Sequence, residues 1–234
     1  MRYGRPVRNA IGLLAVLAMV VGPLLAHFAI VPPLAGFATF ALGGIVAAIV
    51  GLVSLVQLVR GYGLTSGGAL GLVAAAAFVF IAVSQGGGHP RINDFTTDLA
   101  DPPAFTHAAT LPQNAARDMA YPKDWAAIQR ECCADLHPAV LALAPAAAYA
   151  KALGQARAMP TWIVTSEDPN GMTIEAVSTS KLFRFQDDVV IRVRPDAGGA
   201  SRVDMRSKSR DGKGDMGVNT ARIRSYIDAL APAK

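Results

Sequence analysis

The sequence predicts a membrane-anchored α+β protein: three transmembrane helices followed by a small extracytoplasmic domain, in which helices flank an antiparallel four-stranded sheet. Three observations predict this fold class. Long uncharged apolar runs occupy the N-terminal third, two hairpin signals lie in the C-terminal half, and helical patterns flank the hairpins. Of the 234 residues, 52% are hydrophobic, which is more than an ordinary soluble domain carries, so membrane spans beside a modest globular part account for the excess.

The apolar runs predict three transmembrane helices within an anchor at residues 1–85. They cover about residues 11–31, 34–59 and 67–84, and each approaches or exceeds the roughly 20 residues that cross a bilayer. A cleaved signal peptide is the alternative for the first run. Its apolar stretch is too long for a signal core, however, and two further runs follow it.

The charge distribution predicts the orientation of the anchor. Residues 1–85 contain Arg2, Arg5, Arg8 and Arg60 and no acidic residue, whereas the remainder holds 18 Lys and Arg against 17 Asp and Glu. Because basic flanks stay cytoplasmic, we expect the N-terminus in the cytoplasm and the C-terminal domain in the periplasm, with the helices in the bacterial inner membrane. The balanced charge of the domain argues against nucleic acid, and the expected partners are the lipid bilayer and an anionic envelope ligand or an envelope protein.

Beyond the anchor, residues 86–121 are rich in Pro, Asp, Thr and Asn, with apolar residues interspersed. This composition predicts an extended segment that wraps on the domain, and the alternative is a solvated linker. Residues 122–234 form the predicted globular α+β domain. Within it, the Ala-, Leu- and Lys-rich stretch APAAAYAKALGQARAM predicts one helix, and apolar spacing predicts another from about Val218 to Leu230.

Two turn sequences predict the sheet. Pro169-Asn170-Gly171 and Ala197-Gly198-Gly199 each separate two runs of strand-forming residues, which predicts two hairpins and four strands. In the third run, DDVVIRVRPD, apolar and charged residues alternate at its end. One face of the sheet is therefore expected to be apolar and the other partly charged, as in an antiparallel sheet with one covered face.

A charged cluster around the last two strands is the candidate site. We interpret it as a structural clasp in which Arg206 and Arg210 reach Asp187, Asp188 or Asp215, and in which Asp215 caps the last helix. The full candidate cluster is Asp187, Asp188, Arg192, Arg206, Ser207, Ser209, Arg210, Asp215, Asn219 and Arg222.

An anion-binding site is the alternative interpretation of the same residues. In that case Arg192, Arg206, Arg210 and the start of the last helix receive a phosphate or carboxylate group. The loop is not a Walker phosphate loop, because GKGDMG lacks the GxxxxGK pattern followed by Ser or Thr, and Asp215 would repel phosphate.

No residue stands out as catalytic, and the sequence predicts no cofactor and no metal site. HExxH, CxxC and GxSxG motifs do not occur, and the scattered histidines lack ligand spacing. Whether the chain is an enzyme stays open at this point. We favour a non-catalytic envelope binding or assembly module, and the alternative is an envelope enzyme with an unfamiliar site built from the Asp and Arg side chains of the cluster.

The adjacent cysteines Cys132 and Cys133 are a candidate redox pair. They lie outside the cytoplasm in the predicted topology, where disulfides persist. A bond between neighbours is strained, since consecutive Cα atoms are about 3.8 Å apart and disulfides prefer about 5.5 Å. The alternatives are two buried thiols or a bond between two chains.

The stretches GMTIEAVSTS, FRFQDDVVIRV and VDMRSKSRDGKGDMGVNTARIR resemble a bacterial and plastid family named domain of unknown function 1499. Its pattern, a paired Asp before a strand and then Arg-Ser-x-Ser-Arg, Gly, Asp, Gly, Asn and Arg, falls here on Asp187, Asp188, Arg206, Ser207, Ser209, Arg210, Gly212, Asp215, Gly217, Asn219 and Arg222. The resemblance covers roughly residues 90–230. It implies the fold and, for one subgroup, the three-span anchor, but no established activity. Some relatives have a cysteine near the domain start that this chain lacks there, so the resemblance implies no disulfide.

Overall fold

The computed structural model describes residues 4–84 and 89–230, and it has the α+β class that the sequence predicts. The chain divides into two compact units. One contains three long helices together with residues 181–184, and the other contains the sheet and the remaining helices. The predicted boundary at residues 85–86 and the charge of Arg2 fall outside the described residues.

The first unit consists of α1 (Gly4–His27), α2 (Pro33–Val59) and α3 (Ser66–Ser84). Each of the three is long and apolar enough to span a membrane, which confirms the prediction of three long apolar helices. Helix α3 begins where it does because the Thr65 hydroxyl accepts a hydrogen bond of 3.1 Å from the backbone N–H of Gly68, which occupies one of the free donors of the first turn.

Small residues let the three helices approach closely. A Cβ atom at Gly22 of α1 would lie 2.6 Å from the carbonyl oxygen of Gly36 in α2, and a Cβ at Gly43 would lie 2.7 Å from that of Ala15. Glycine therefore permits this backbone spacing, as is common between membrane helices. The large aliphatic side chains of the helices face outward, as expected for helices surrounded by lipid.

The sheet of the second unit has six antiparallel strands rather than the four predicted. The strands are β1 (Asp94–Thr96), β2 (Ala139–Leu141), β3 (Trp162–Asp168), β4 (Thr173–Thr179), β5 (Gln186–Pro195) and β6 (Ser201–Ser209). Their order in the sheet is β1-β6-β5-β4-β3, with β2 also paired to β6. The two additional strands, β1 and β2, are three residues long, too short to show an alternating pattern in the sequence.

Both turn sequences form hairpins, between β3 and β4 and between β5 and β6. In the second hairpin, Gly198 and Gly199 have φ angles of 67° and 78°, which few residues other than glycine adopt readily. In the first, the Asp168 carboxylate accepts hydrogen bonds from the backbone N–H groups of Asn170 and Gly171. The local turn chemistry of the sequence thus sets the positions of β3 to β6.

Two helices, α6 (Pro145–Ala158) and α7 (Val218–Leu230), cover one face of the sheet and enclose the main core. Tyr226 of α7 stacks on Trp162 at 5.5 Å between ring centroids, and its hydroxyl donates to the backbone carbonyl of Ala152. The buried stripe of α7 thus includes an aromatic side chain.

The opposite face of the sheet is covered by residues 89–121, which carry β1 and the short helix α4 (His107–Thr110), and then by α5 (Trp125–Cys132). A small apolar cluster of Phe105, Ala108 and Val190 lies on this face. The other buried side chains there are mostly charged. This second face is the one that the sequence predicts to be partly charged.

Candidate functional site

The alternation of β5 and β6 divides the predicted charged cluster between the two faces of the sheet. Asp187 pairs in register with Ser209, and Asp188 with Lys208. Because successive side chains of a strand point to opposite faces, Asp187 and Ser209 lie toward α7, whereas Asp188 and Lys208 lie toward residues 89–121. The residues of the predicted cluster are therefore divided between the two faces of the sheet.

The first network joins β5 and β6 to α7. Arg222 binds the carboxylate of Asp187 and also donates to the amide oxygen of Asn219 at 2.6 Å. The Ser207 hydroxyl donates to the same oxygen at 2.6 Å, and the Asn219 amide donates to Ser209 at 2.9 Å. Each polar group between the sheet and the helix thus has a partner, which is what a buried polar contact requires.

The start of α7 is already occupied by a carboxylate. Asp215 accepts hydrogen bonds from the backbone N–H groups of Gly217 at 3.0 Å and Asn219 at 2.6 Å. Gly217 has a φ angle of 81°, and a side chain there would meet the ring of His89. The geometry therefore favours the capping interpretation of Asp215, because the donors that an anion would need are taken.

The second network, on the opposite face, centres on Asp188, which is fully buried. One carboxylate oxygen accepts from Arg210 at 2.7 Å and 3.1 Å, and the other accepts from Arg117 at 2.8 Å and from Asn114 at 3.2 Å. Two cations and an amide therefore hold this carboxylate. Arg117 and Asn114 come from the wrapping segment, which sequence reasoning did not connect to the sheet.

Arg206 binds a carboxylate that the sequence does not suggest. Its guanidinium donates to both oxygens of Asp94, at 2.9 Å and 2.7 Å, and to the backbone carbonyls of Pro103 and Met119. Lys208 binds the same carboxylate at 2.9 Å. Arg206 thus contacts none of the three acidic residues expected for it. Its true partner, in β1, is 112 positions away in sequence, and no local spacing pattern links them.

Arg192 belongs to a further charged group at one end of β5 and β6. There Asp98 and Asp204 bind the arginines Arg192, Arg194 and Arg202. Burial alone would raise the pKa of Asp98. Hydrogen bonds from backbone N–H groups and from Arg194 outweigh that effect and hold its pKa below the ordinary value of 3.8.

The buried Glu175 of β4 holds the wrapping segment at α4. Its carboxylate accepts four hydrogen bonds of 2.7 Å, from the hydroxyl and backbone N–H of Thr106 and from the N–H groups of His107 and Ala108. A carboxylate suits the first turn of a helix, where N–H groups lack partners. This residue also escaped sequence reasoning, because a single Glu in a strand carries no pattern.

A pocket of about 660 Å³ opens beside Arg206, within the size range of small-molecule sites. Its walls come from residues 99–105 and 119–130. The lining residues are Leu99, Ala100, Pro102, Ala104, Phe105, Met119, Ala120, Tyr121, Lys123, Ala126, Arg130 and Arg206. Because these residues come from three separate parts of the chain and form no motif, the sequence gives no sign of the pocket.

Aromatic rings hold Arg206 at the base of the pocket. Its guanidinium carbon lies 4.7 Å from the ring centroid of Phe105 and 5.5 Å from that of Tyr121, within cation–π range. The Tyr121 hydroxyl donates to the side chain of Gln129 at 3.1 Å. Burial, together with the nearby charge of Asp94, raises the pKa of Tyr121 well above its ordinary value, so the phenol stays protonated.

The remaining charged groups of the pocket are Lys123 and Arg130, both exposed to solvent. The lining contains no carboxylate, histidine, cysteine or serine. It can therefore receive apolar surface and negative charge.

The two cysteines are bonded to each other at the end of α5. Cys132 is exposed and Cys133 is buried, and neither lines the pocket. A redox role for the pair stays a prediction. Across residues 4–84 and 89–230, no group of three or more His, Cys, Asp or Glu side chains could hold a metal ion.

Comparison with known proteins adds one relationship. A family model described as protein of unknown function (DUF1499) matches residues 94–230, which begins at β1 and ends with α7. No curated protein and no solved structure matches the chain.

Proposed function

From the premise that the chain belongs to the DUF1499 family, we propose that it is an inner-membrane protein whose periplasmic domain binds a component of the cell envelope without catalysing a reaction. The pocket beside Arg206 is the binding site in this proposal. The three membrane-length helices are the anchor.

The composition of the pocket is the observation that carries the proposal. Its lining combines apolar side chains with cations and contains no carboxylate, histidine, cysteine or serine. Binding sites of small molecules are concave and mostly apolar, with a few polar groups that set orientation, and this pocket fits that description.

The arrangement of the acidic residues disfavours the alternative of an envelope enzyme built from Asp and Arg side chains. Asp187 and Asp188 lie on opposite faces of the sheet, and Asp215 caps a helix. Each of the three carboxylates is held by arginines or by backbone N–H groups. A catalytic carboxylate must reach substrate, and these are committed to the fold.

Native mass spectrometry of the full chain tests the binding function. The chain is released from nanodiscs made directly from its own membranes, so that endogenous ligands remain bound. Ala126→Trp places a large side chain in the pocket, and Ala127→Trp, one residue further along α5 and outside the lining, is the matched control. We expect a ligand mass on the wild type and on the control that is missing from Ala126→Trp. Equal ligand occupancy in all three proteins would contradict the proposal.

The compartment is tested separately by fusions. Alkaline phosphatase, which folds to an active enzyme only outside the cytoplasm, is joined after the last residue, and green fluorescent protein is joined there in a second fusion. Basic residues beside membrane helices tend to stay on the cytoplasmic side, so the four arginines of residues 1–85 lead us to expect phosphatase activity and no fluorescence. Fluorescence without phosphatase activity would place the domain in the cytoplasm.

A further inference from the structure

We infer that the ligand of this pocket is an anionic amphiphile: a single aliphatic chain that ends in a carboxylate or phosphate monoester. The chain would occupy the apolar walls, and the head group would lie at the rim between Lys123 and Arg130. This inference rests on the proposed function, and it names the chemical class that the same pocket takes.

The apolar side chains of the pocket walls favour an aliphatic chain as the ligand. Eight of the twelve lining residues have apolar side chains without a hydrogen-bonding group. The polar groups deeper in the pocket are already satisfied, since the Tyr121 hydroxyl donates to Gln129 and Arg206 donates to Asp94, Pro103 and Met119. A sugar or peptide placed there would lose its hydrogen bonds to water and find few in return, whereas a hydrocarbon chain loses none.

The positive charges at the rim of the pocket favour a negatively charged head group. Lys123 and Arg130 are exposed, and both belong to the lining. Beneath them, the group of Asp94, Arg206 and Lys208 carries one net positive charge, because one carboxylate faces two cations.

Asp124 is an acidic neighbour outside the lining, and its charge reaches Tyr121, as does that of Arg130. Asp101, Asp118 and Glu131 also adjoin lining residues in sequence. The lining itself contains three cations and no carboxylate, so the charges that would touch a bound head group are positive. A cationic amphiphile would therefore be repelled.

Photo-crosslinking with amphiphiles of defined head group tests this inference. The full chain is placed in nanodiscs of phosphatidylcholine, and three probes carry the same diazirine-bearing dodecyl chain with a carboxylate, a phosphate or a trimethylammonium head. Labelled peptides are mapped by mass spectrometry. We expect both anionic probes to label residues 99–105 and 119–130, and the trimethylammonium probe to leave them unlabelled. The stronger of the two anionic probes identifies the head group.

Two further experiments measure how much the aliphatic chain and the head group each contribute to binding. Shortening an unlabelled competitor by two methylenes should weaken its competition about fifteenfold, since each buried methylene contributes about fourfold in affinity. The exposed pair Lys123→Ala, Arg130→Ala should reduce anionic labelling about tenfold, as expected for two solvent-accessible ion pairs. The charge-matched pair Arg157→Ala, Lys213→Ala lies outside the lining and should label as the wild type does.

The outcomes separate this inference from the proposed function. If the trimethylammonium probe labels the pocket as well as the anions do, or if loss of the rim cations changes nothing, the anionic class is wrong while a binding pocket stands. If Ala126→Trp leaves labelling of both segments by every probe unchanged, the pocket is not a ligand site and both proposals fail.

Discussion

Replacement of Asp94 by asparagine should destabilise the globular domain strongly. The Asp94 side chain is completely buried, and it is the carboxylate that faces Arg206 and Lys208, which are 2% and 9% exposed. Removal of one partner of a buried ion pair lowers the free energy of unfolding by about 3–5 kcal/mol, because the remaining charge is left without a counter-charge and without water. Asparagine keeps an oxygen that can accept from Arg206, so we expect the lower end, about 3 kcal/mol.

Tryptophan fluorescence during urea unfolding of the full chain in detergent micelles measures this cost. Both tryptophans of the sequence, Trp125 and Trp162, lie in the second unit, so the signal reports on that unit and not on the membrane helices. With an m-value of about 2 kcal/mol per molar urea, a loss of 3 kcal/mol lowers the unfolding midpoint by about 1.5 M.

Glu167→Gln is the control for this measurement. Glu167 pairs with Arg157 on the surface, where both side chains are well exposed, and such pairs contribute under about 1 kcal/mol. If Asp94→Asn lowered the midpoint no more than Glu167→Gln does, the buried carboxylate would not be what holds the wrapping segment and β6 together, and the account of that face would be wrong.

Three other perturbations have defined results. Glu175→Ala leaves three backbone N–H groups of the wrapping segment without an acceptor and should cost about 3 kcal/mol in the same urea assay; a loss below 1 kcal/mol would contradict that role. The pKa of Asp98 is lowered in the folded state, so the stabilisation that Asp98 contributes is complete above its unfolded-state pKa and is lost as pH falls below about 4. Between pH 7 and pH 3, the Asp98→Asn variant should therefore lose less unfolding free energy than the wild type does. An equal loss in the two proteins would refute the assignment. Reduction of the bond between Cys132 and Cys133, verified by mass spectrometry, should change the free energy of unfolding by only about 1 kcal/mol, because it closes the shortest possible loop; a loss of 3 kcal/mol or more would show that the bond supports the fold.

Much of the fold follows from local sequence patterns. Uncharged apolar runs predict α1 to α3, and turn residues such as Gly171 and Gly198 predict the two hairpins. These features depend on neighbours in sequence. By contrast, β1 and β2 form only because β6 offers an edge, so their three-residue stretches look like loop until the tertiary structure is known.

The charged cluster shows where sequence reasoning stops. The residue types are right for a clasp, but the pairing depends on which side of a strand each residue faces and on partners far along the chain. Strand alternation could have separated Asp187 from Asp188, because the two are adjacent. The partnership of Arg206 with Asp94 could not be found in this way, since it requires the path of the wrapping segment over the sheet.

The pocket was beyond reach for a related reason. Tyr121 and Arg206 are ordinary residues in their local sequence, and only the fold brings them together with Phe105. The alanines, the proline and the methionine of the lining are residue types that do not distinguish a binding pocket from other parts of the sequence. A binding site that relies on shape and apolar surface leaves no catalytic or metal-binding motif to recognise.

Hydrogen–deuterium exchange of the full chain tests the central claim most directly, because it distinguishes the pocket from the charged corner at α7. The chain is compared in nanodiscs made from its own membranes and after exhaustive exchange into phosphatidylcholine nanodiscs that remove endogenous ligand. Binding in the pocket predicts slower exchange with ligand in residues 99–105 and 119–130, and no change in residues 209–222, which hold the start of α7 and its capping loop. Protection confined to residues 209–222 would contradict this account and would make the charged corner at α7 the binding site.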